Sequence, residues 1–396
     1  MSQSSVALLA RPEVRPLPAY NAGLSSEAVR ARYGVTQITR LASNENPFGI
    51  SPAVAQALAS VAADVGNYPD ANCTALREAI AARTGIAGNR LVFGNGSEDL
   101  LKLLCEVFLS PGDLVVTQRP VFGLHEIYPK MMGARVQLLE LTPELSFDAD
   151  AWCQAMAQSP KIAFLPNPSN PVGCMLDAAA FERVLAATPA STVLVVDEAY
   201  YEYALHAPGY PDVMTLLAER QGPWIVLRTF SKAWGLAGLR VGYGMADSAE
   251  LIGLIDKVRS PFNVNVAAQR AALAAWSDPA HMQAGVAQTV QLREALAQQL
   301  RALAAPGQPL AGLRIAPSVA NFLFLDMGRP NGPLNDSLLA QGVIVKPWKE
   351  PGFEQFLRVS IGTAQDNARF VQALLVAVAQ TTAPNTAQPT AQAVSV

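Results

Sequence analysis

Short continuous apolar runs alternate along the chain with longer segments of helical period. Leu91–Phe93, Leu114–Thr117, Ile162–Leu165, Val193–Val196 and Ile225–Leu227 are apolar and rich in β-branched residues, the pattern of strands buried on both faces. Glu98–Leu109 sets Leu100, Leu101, Leu103, Leu104, Val107 and Phe108 on one stripe and stops at Ser110-Pro111-Gly112, which predicts an amphipathic helix. Strands alternating with helices imply an α/β fold with a doubly wound, mostly parallel sheet. The pattern then changes. Helical Thr289–Ala304 precedes strand-like Asn321–Leu325 and Val343–Val345, which predicts a smaller α+β unit after a break around Ser277–Gln283. Arg11-Pro12 and Arg15-Pro16-Leu17-Pro18 mark the first ~40 residues as an arm. From Thr381 onward there is neither apolar period nor charge, so that stretch reads as a disordered tail.

Composition narrows the class. The 396 residues are 51% hydrophobic and 15% charged, well under the usual ~25% charged, so a disordered or highly solvated chain is excluded. The net charge of −3 provides no general basic field for nucleic acid or an anionic membrane. No apolar run reaches the ~18 residues needed to span a bilayer. The patch Val6–Ala10 has no basic segment before it, so it does not read as a secretory signal, and a cytoplasmic location is expected. Cys73, Cys105, Cys153 and Cys174 form no CxxC pair, and His125, His206 and His281 are scattered, so no metal site is expected. Asn72, Asn95 and Asn335 open glycosylation-type triplets that have no significance without secretion.

In open α/β sheets ligands gather beyond the carboxyl ends of the strands, and the polar residues are distributed accordingly. Leu91–Phe93 runs into Gly94-Asn95-Gly96-Ser97-Glu98, a turn whose free N–H groups suit a phosphate, or which simply caps a helix. Leu114–Thr117 leads to Pro120-Val121-Phe122-Gly123, with an aromatic ring at the rim or in the core. Ile162–Leu165 ends in Pro166-Asn167-Pro168-Ser169-Asn170-Pro171-Val172-Gly173, where an amide can face a ligand. Asp197 follows four buried apolar residues; such a carboxylate is costly unless it is paired, whether with a ligand charge or as a helix cap. After Ile225–Leu227 come Ser231, Lys232 and Arg240, an amine able to form a Schiff base beside groups that suit an anion. The glycines here do not match the GxGxxG dinucleotide pattern.

Ser231-Lys232 with Gly-Leu-Ala-Gly-Leu-Arg240, Asp197-Glu-Ala-Tyr200 and Asn167-Pro-Ser-Asn170-Pro-Val-Gly173 resemble the signature blocks of fold-type I pyridoxal-phosphate aminotransferases. Leu41-Ala-Ser-Asn-Glu-Asn-Pro-Phe-Gly49, Tyr68-Pro-Asp and Leu357-Arg358-Val-Ser-Ile-Gly-Thr363 are similar to the histidinol-phosphate aminotransferase family, in order across roughly residues 17–378. The resemblance implies a large pyridoxal-phosphate-binding domain over 44–280 and a small α+β domain over 281–380. An arm (1–43) would join the small domain, and 381–396 would form the tail. It implies Lys232 as the cofactor-linked lysine and proton shuttle, with Asp197 on the ring nitrogen. Tyr200 and Asn170 would lie on the ring oxygen and Phe122 on the ring face, where the family commonly has Tyr. Gly96, Ser97, Ser231, Arg240 and a partner subunit's Tyr68 would hold the cofactor phosphate. Arg358, Lys346, Tyr20 and Asn44 would meet the substrate.

One departure stands out. Where members acting on histidinol phosphate tend to carry Arg after the Gly-Val-Ile-Val strand, this chain has Lys346, a point charge without the guanidinium fork, followed by Pro347-Trp348-Lys349. Trp348 favours an aromatic donor. The expected activity is amino transfer to 2-oxoglutarate by a homodimer, from histidinol phosphate or an aromatic amino acid, with neither nucleic acid nor membrane as partner. A lyase such as a threonine-phosphate decarboxylase is the alternative. A cofactor-bound regulator is a third reading, and the arm has no basic helix for it.

Overall fold

The computed structural model describes residues 5–19 and 23–382. A two-residue strand, β1 (Thr39–Arg40), precedes the main sheet, whose strands are β2 (Leu91–Gly94), β3 (Leu114–Arg119), β4 (Arg135–Glu140), β5 (Ile162–Pro166), β6 (Val193–Asp197), β7 (Trp224–Thr229) and β8 (Gly242–Ala246). Their order is β2-β8-β7-β6-β5-β3-β4; β8 is the one reversed strand, antiparallel to both β2 and β7. Alternate residues of the central strands enter two different cores. Val116, Ala163, Leu165, Leu194, Val196 and Val226 pack on one face, and Val115, Ile162, Phe164, Val195, Ile225 and Leu227 on the other. Both faces are therefore dry, which is why these strands read as unbroken apolar runs.

Beyond the long helix Pro279–Leu303 lie β9 (Arg314–Ile315), β10 (Phe322–Asp326), β11 (Val343–Ile344), β12 (Lys346–Pro347) and β13 (Phe356–Ser360). An antiparallel sheet of order β12-β13-β10-β9 rests on the helix Ala364–Thr382 through a separate core that includes Leu325, Leu357, Val359, Phe370 and Leu374. The early chain joins this unit. β1 pairs in parallel with β11, Leu41 enters the same core, and the helix Ser26–Tyr33 buries Val29 in a small cluster with Leu339 and Ile344. The last helix extends two residues into the stretch read as tail. The rest of that stretch, 383–396, lies outside the described residues. No helix among the described residues is long and apolar enough to cross a membrane, and none of their His, Cys, Asp and Glu side chains group as a metal site.

Candidate active site

The carboxyl ends of β3, β5, β6 and β7 open toward the small sheet across a cleft of about 820 Å³. Its lining includes Asn44, Phe122, Asn170, Tyr200, Lys232, Lys346 and Arg358. Lys232 follows β7 by three residues, and its Nζ donates to the Ser43 carbonyl at 3.0 Å. Burial, reinforced by the guanidinium of Arg358, pulls its ammonium down to about 8, while Glu45 and Asp197 act in the opposite direction. An amine that loses its proton so easily is a nucleophile and a base near neutral pH.

Asp197 ends β6, and its carboxylate is held from two sides. His125 Nε2 lies 3.0 Å from Oδ2, and the Ala199 N–H donates to Oδ1 at 3.1 Å. His125 is fully buried, with its ring stacked on Phe164 at 5.3 Å and edge-on to Phe122 at 6.1 Å, so it has little freedom to turn. The adjacent Glu198 faces the other way, into a buried pair with Arg228 at 2.8 Å, and also accepts from Tyr210 at 2.9 Å. Breaking such a pair costs about 3–5 kcal/mol, so Glu198 serves the fold and Asp197 remains for the cleft.

An anion cradle forms where β2 and β8 run side by side. Gly96 caps the helix Ser97–Phe108 at φ +86 with no side-chain cap, leaving the first N–H groups of that helix open. A Cβ on Gly96 would come within 2.5 Å of Arg240 Nη2, and one on Gly242 within 2.3 Å of the Ser97 nitrogen. Only glycine lets these groups approach. Arg240 Nη1 donates to Ser231 Oγ at 3.3 Å, so Gly96, Ser97, Ser231 and Arg240 converge on one spot. The donors suit a phosphate.

The opposite wall comes from the early chain and the small sheet. Asn44, buried at φ +56, donates through Nδ2 to the Tyr200 hydroxyl at 2.9 Å; its backbone N–H donates to Ser360 Oγ at 2.8 Å. Arg358 lies on β13, with Nη1 donating to Asn170 Oδ1 and Nη2 to the Ala42 carbonyl, both at 2.6 Å. Lys346 is its direct cross-strand partner. Burial, then Arg358 and Lys349, lower the pKa of Lys346. Like charges opposite one another in a ladder repel, and an anion between them relieves the repulsion.

Of the residues expected from the sequence, Asn44, Phe122, Asn170, Tyr200, Lys232, Lys346 and Arg358 line this cleft and Gly96, Ser97, Ser231 and Arg240 form the cradle, while Asp197 is not part of the lining but acts on Lys232 through its charge. Tyr68 is 82% exposed and stacks on Phe262 at 4.6 Å, outside its own chain's cleft. Tyr20 lies outside the described residues. Asn170, expected on a ring oxygen, has its amide oxygen occupied by Arg358. The sequence reading missed His125, noting it only as one of three scattered histidines. Its signal was the Phe122-Gly-Leu-His125 spacing, which places it six residues beyond the end of β3, in the first turn of the helix Leu124–Met131.

The family described as aminotransferase class I and II matches residues 36–374. Histidinol-phosphate aminotransferase 3 of Rhizobium meliloti (strain 1021) is 43% identical over 364 residues, 92% of this chain and 96% of that protein. Histidinol-phosphate aminotransferase 1 of Mesorhizobium japonicum is 45% identical over 367 residues, 92% of this chain and 97% of its own length. A crystal structure of histidinol-phosphate aminotransferase from Sinorhizobium meliloti in complex with pyridoxal-5'-phosphate superimposes with a TM-score of 0.83. It is 26% identical and covers 93% of this chain and 97% of its own. The chain belongs to the class I and II aminotransferases, in the histidinol-phosphate aminotransferase branch of that family.

Proposed function

We propose that the protein is a cytoplasmic, homodimeric aminotransferase that uses pyridoxal 5'-phosphate to move an amino group from histidinol phosphate to 2-oxoglutarate, a step of histidine biosynthesis. The observation that carries this reading is a low-pKa amine, Lys232, set between two anion sites, the Gly96–Arg240 cradle and the Lys346–Arg358 pair. The close relatives bear the same name. They also disfavour the decarboxylase reading, which shares the strand-end blocks.

The bound cofactor supplies an aldehyde carbon that accepts the amino group and a ring that stores the electron pair left when the α-proton departs. Lys232 Nζ would bond to that carbon in the resting enzyme and take the α-proton during turnover. The Asp197 carboxylate, held by His125, would keep the ring nitrogen protonated, because a close anion favours the cation. Tyr200, fixed by Asn44, and Asn170 would face the ring oxygen, and Phe122 would cover the ring face. Gly96, Ser97, Ser231 and Arg240 would hold the phosphate, with Tyr68 reaching it from the partner subunit. Arg358 and Lys346 would take the donor's phosphate and, in the second half-reaction, a carboxylate of 2-oxoglutarate.

Lys346 tests the substrate assignment. With histidinol phosphate as donor, Lys346→Ala should lose about 1.5–3 kcal/mol in kcat/KM, the size of a charge-assisted hydrogen bond. An uncharged aromatic donor should barely respond, and Lys346→Arg should favour the phosphate donor. Equal losses with both donors would mean that Lys346 only supports the wall.

The dimeric site has its own test. Tyr68 is exposed and lies outside its own chain's cleft, as a residue acting in trans must. In a two-fold dimer such contacts are exchanged reciprocally. Mixing Tyr68→Phe with Lys232→Ala subunits should create hybrids with one intact site and more activity than either parent. Demonstrated subunit exchange without that gain would remove Tyr68 from the site.

A further inference from the structure

A second cluster of charge lies at the mouth of the cleft, and none of its members was assigned a role by the sequence. Arg119 is the last residue of β3, three residues before Phe122. Its Nε lies 3.3 Å from Glu350 Oε1, its Nη1 lies 2.8 Å from Glu140, and its Nη2 donates to the Pro351 carbonyl. Glu350 also accepts from Trp348 Nε1 at 3.1 Å through Oε2, and the Val121 backbone is close enough to lower its pKa. One carboxylate thus ties two structural units: Trp348 donates to it from the small-sheet side, and Arg119, at the end of a main-sheet strand, forms an ion pair with it.

We propose that Glu350 is a positioning residue that fastens the Trp348 wall to the Arg119–Phe122 segment and so sets the width of the donor end of the cleft. This rests on reading the cleft as an aminotransferase donor site. The backbone of Trp348 is already fixed, since its N–H donates to the Phe356 carbonyl at 3.0 Å and its carbonyl accepts from Asn331 at 2.7 Å. The indole sits edge-on to Phe324 at 5.9 Å, and its ring centre is 6.0 Å from the Arg358 guanidinium. What remains free is rotation of the indole about its own side-chain bonds, and the bond to Glu350 removes it.

The carboxylate itself needs this company. Its side chain is 17% exposed, and burial, aided by Glu126 nearby, pushes its pKa up, while Trp348, Val121 and Arg119 hold it down. A part-buried charge with donors on both sides joins two elements more strongly than a surface pair would. Trp348 and Phe122 both line the cleft, so the latch fixes the distance between two substrate-facing rings. Glu350 touches none of Lys232, Asp197 or the cradle, so its effect belongs to donor binding and not to proton transfer.

The test uses the full chain loaded with pyridoxal phosphate, in Glu350→Ala and Glu350→Gln. Glu350→Ala should raise the donor KM about tenfold while kcat stays within about threefold, the signature of lost binding without lost chemistry. Glu350→Gln keeps an acceptor oxygen for Trp348 and should raise KM by less. In a Trp348→Phe background, Glu350→Ala should add under about twofold, because contacting residues that act as one unit are not additive. The part of the emission that disappears in Trp348→Phe should become more open to acrylamide quenching in Glu350→Ala, a readout independent of turnover. A KM within about twofold of the parent in both Glu350 variants, unchanged quenching, or a fall in kcat at constant KM would each overturn the latch. Borohydride-reducible cofactor, scored separately in every variant, reports on the aminotransferase reading itself.

Discussion

Lys232→Ala should abolish the borohydride-reducible bond to the cofactor and lower turnover by about four orders of magnitude. General base catalysis alone is worth about 10²–10⁴, and loss of the covalent attachment adds to it. The fold should not suffer. Burial and Arg358 bring the Lys232 ammonium from 10.5 to about 8, so the unfolded chain holds this proton more tightly than the folded one. Below about 8 the buried ammonium is a standing cost, and between about 8 and 10.5 the folded state gains stability as pH rises. The cofactor-free variant should therefore melt no lower than its parent at neutral pH, and should lack that alkaline gain. Cofactor uptake by the parent should accelerate as pH approaches 8, where the amine becomes neutral. A reducible bond that survives in Lys232→Ala would place the attachment elsewhere.

Asp197→Asn should have the second largest effect, a loss of about 10²–10³ in kcat, the scale of removing one preorganised electrostatic partner. The amide keeps the shape and can still accept from the Ala199 N–H, so the loop should hold. It cannot supply the negative charge that keeps a ring nitrogen cationic. The reducible bond to Lys232 should persist, because the cradle and the amine are untouched, so attachment without turnover is the expected pattern. His125→Phe should move activity in the same direction by a smaller factor, since it frees the carboxylate without removing its charge. Retained turnover in Asp197→Asn, measured at saturating cofactor, would remove Asp197 from the ring nitrogen.

The sequence disclosed the parts of the fold whose environment is one-sided. Central strands buried on both faces appear as unbroken apolar runs, so β5, β6 and β7 were legible almost to the residue. β4 was not, because it is an edge strand in which a single residue is fully buried. β8 was hidden by its composition: Gly242 and Gly244 have little strand propensity and are required by close approach to Ser97 and Ile225. Lys232, Asp197 and Asn170 were legible because they lie at, or within four residues of, strand ends that share one edge. The contact between Asn44 and Tyr200, 156 residues apart, depends on how the two units meet, and the Lys346–Arg358 pairing depends on the register of β12 against β13 within the small sheet. Glu350 was invisible for the same reason. Its ion-pair partner, Arg119, lies more than two hundred residues earlier.

A single half-reaction bears most directly on what the enzyme does. The cofactor-loaded protein, mixed with histidinol phosphate and no acceptor, should convert its bound cofactor to the amine form with one equivalent of carbonyl product per subunit and no carbon dioxide. Adding 2-oxoglutarate should then restore the starting spectrum and yield one equivalent of glutamate. An unchanged cofactor spectrum with histidinol phosphate, alongside full conversion by an aromatic amino acid, would contradict the substrate assignment, and release of carbon dioxide from a phosphorylated amino acid without amino transfer would contradict the reaction itself.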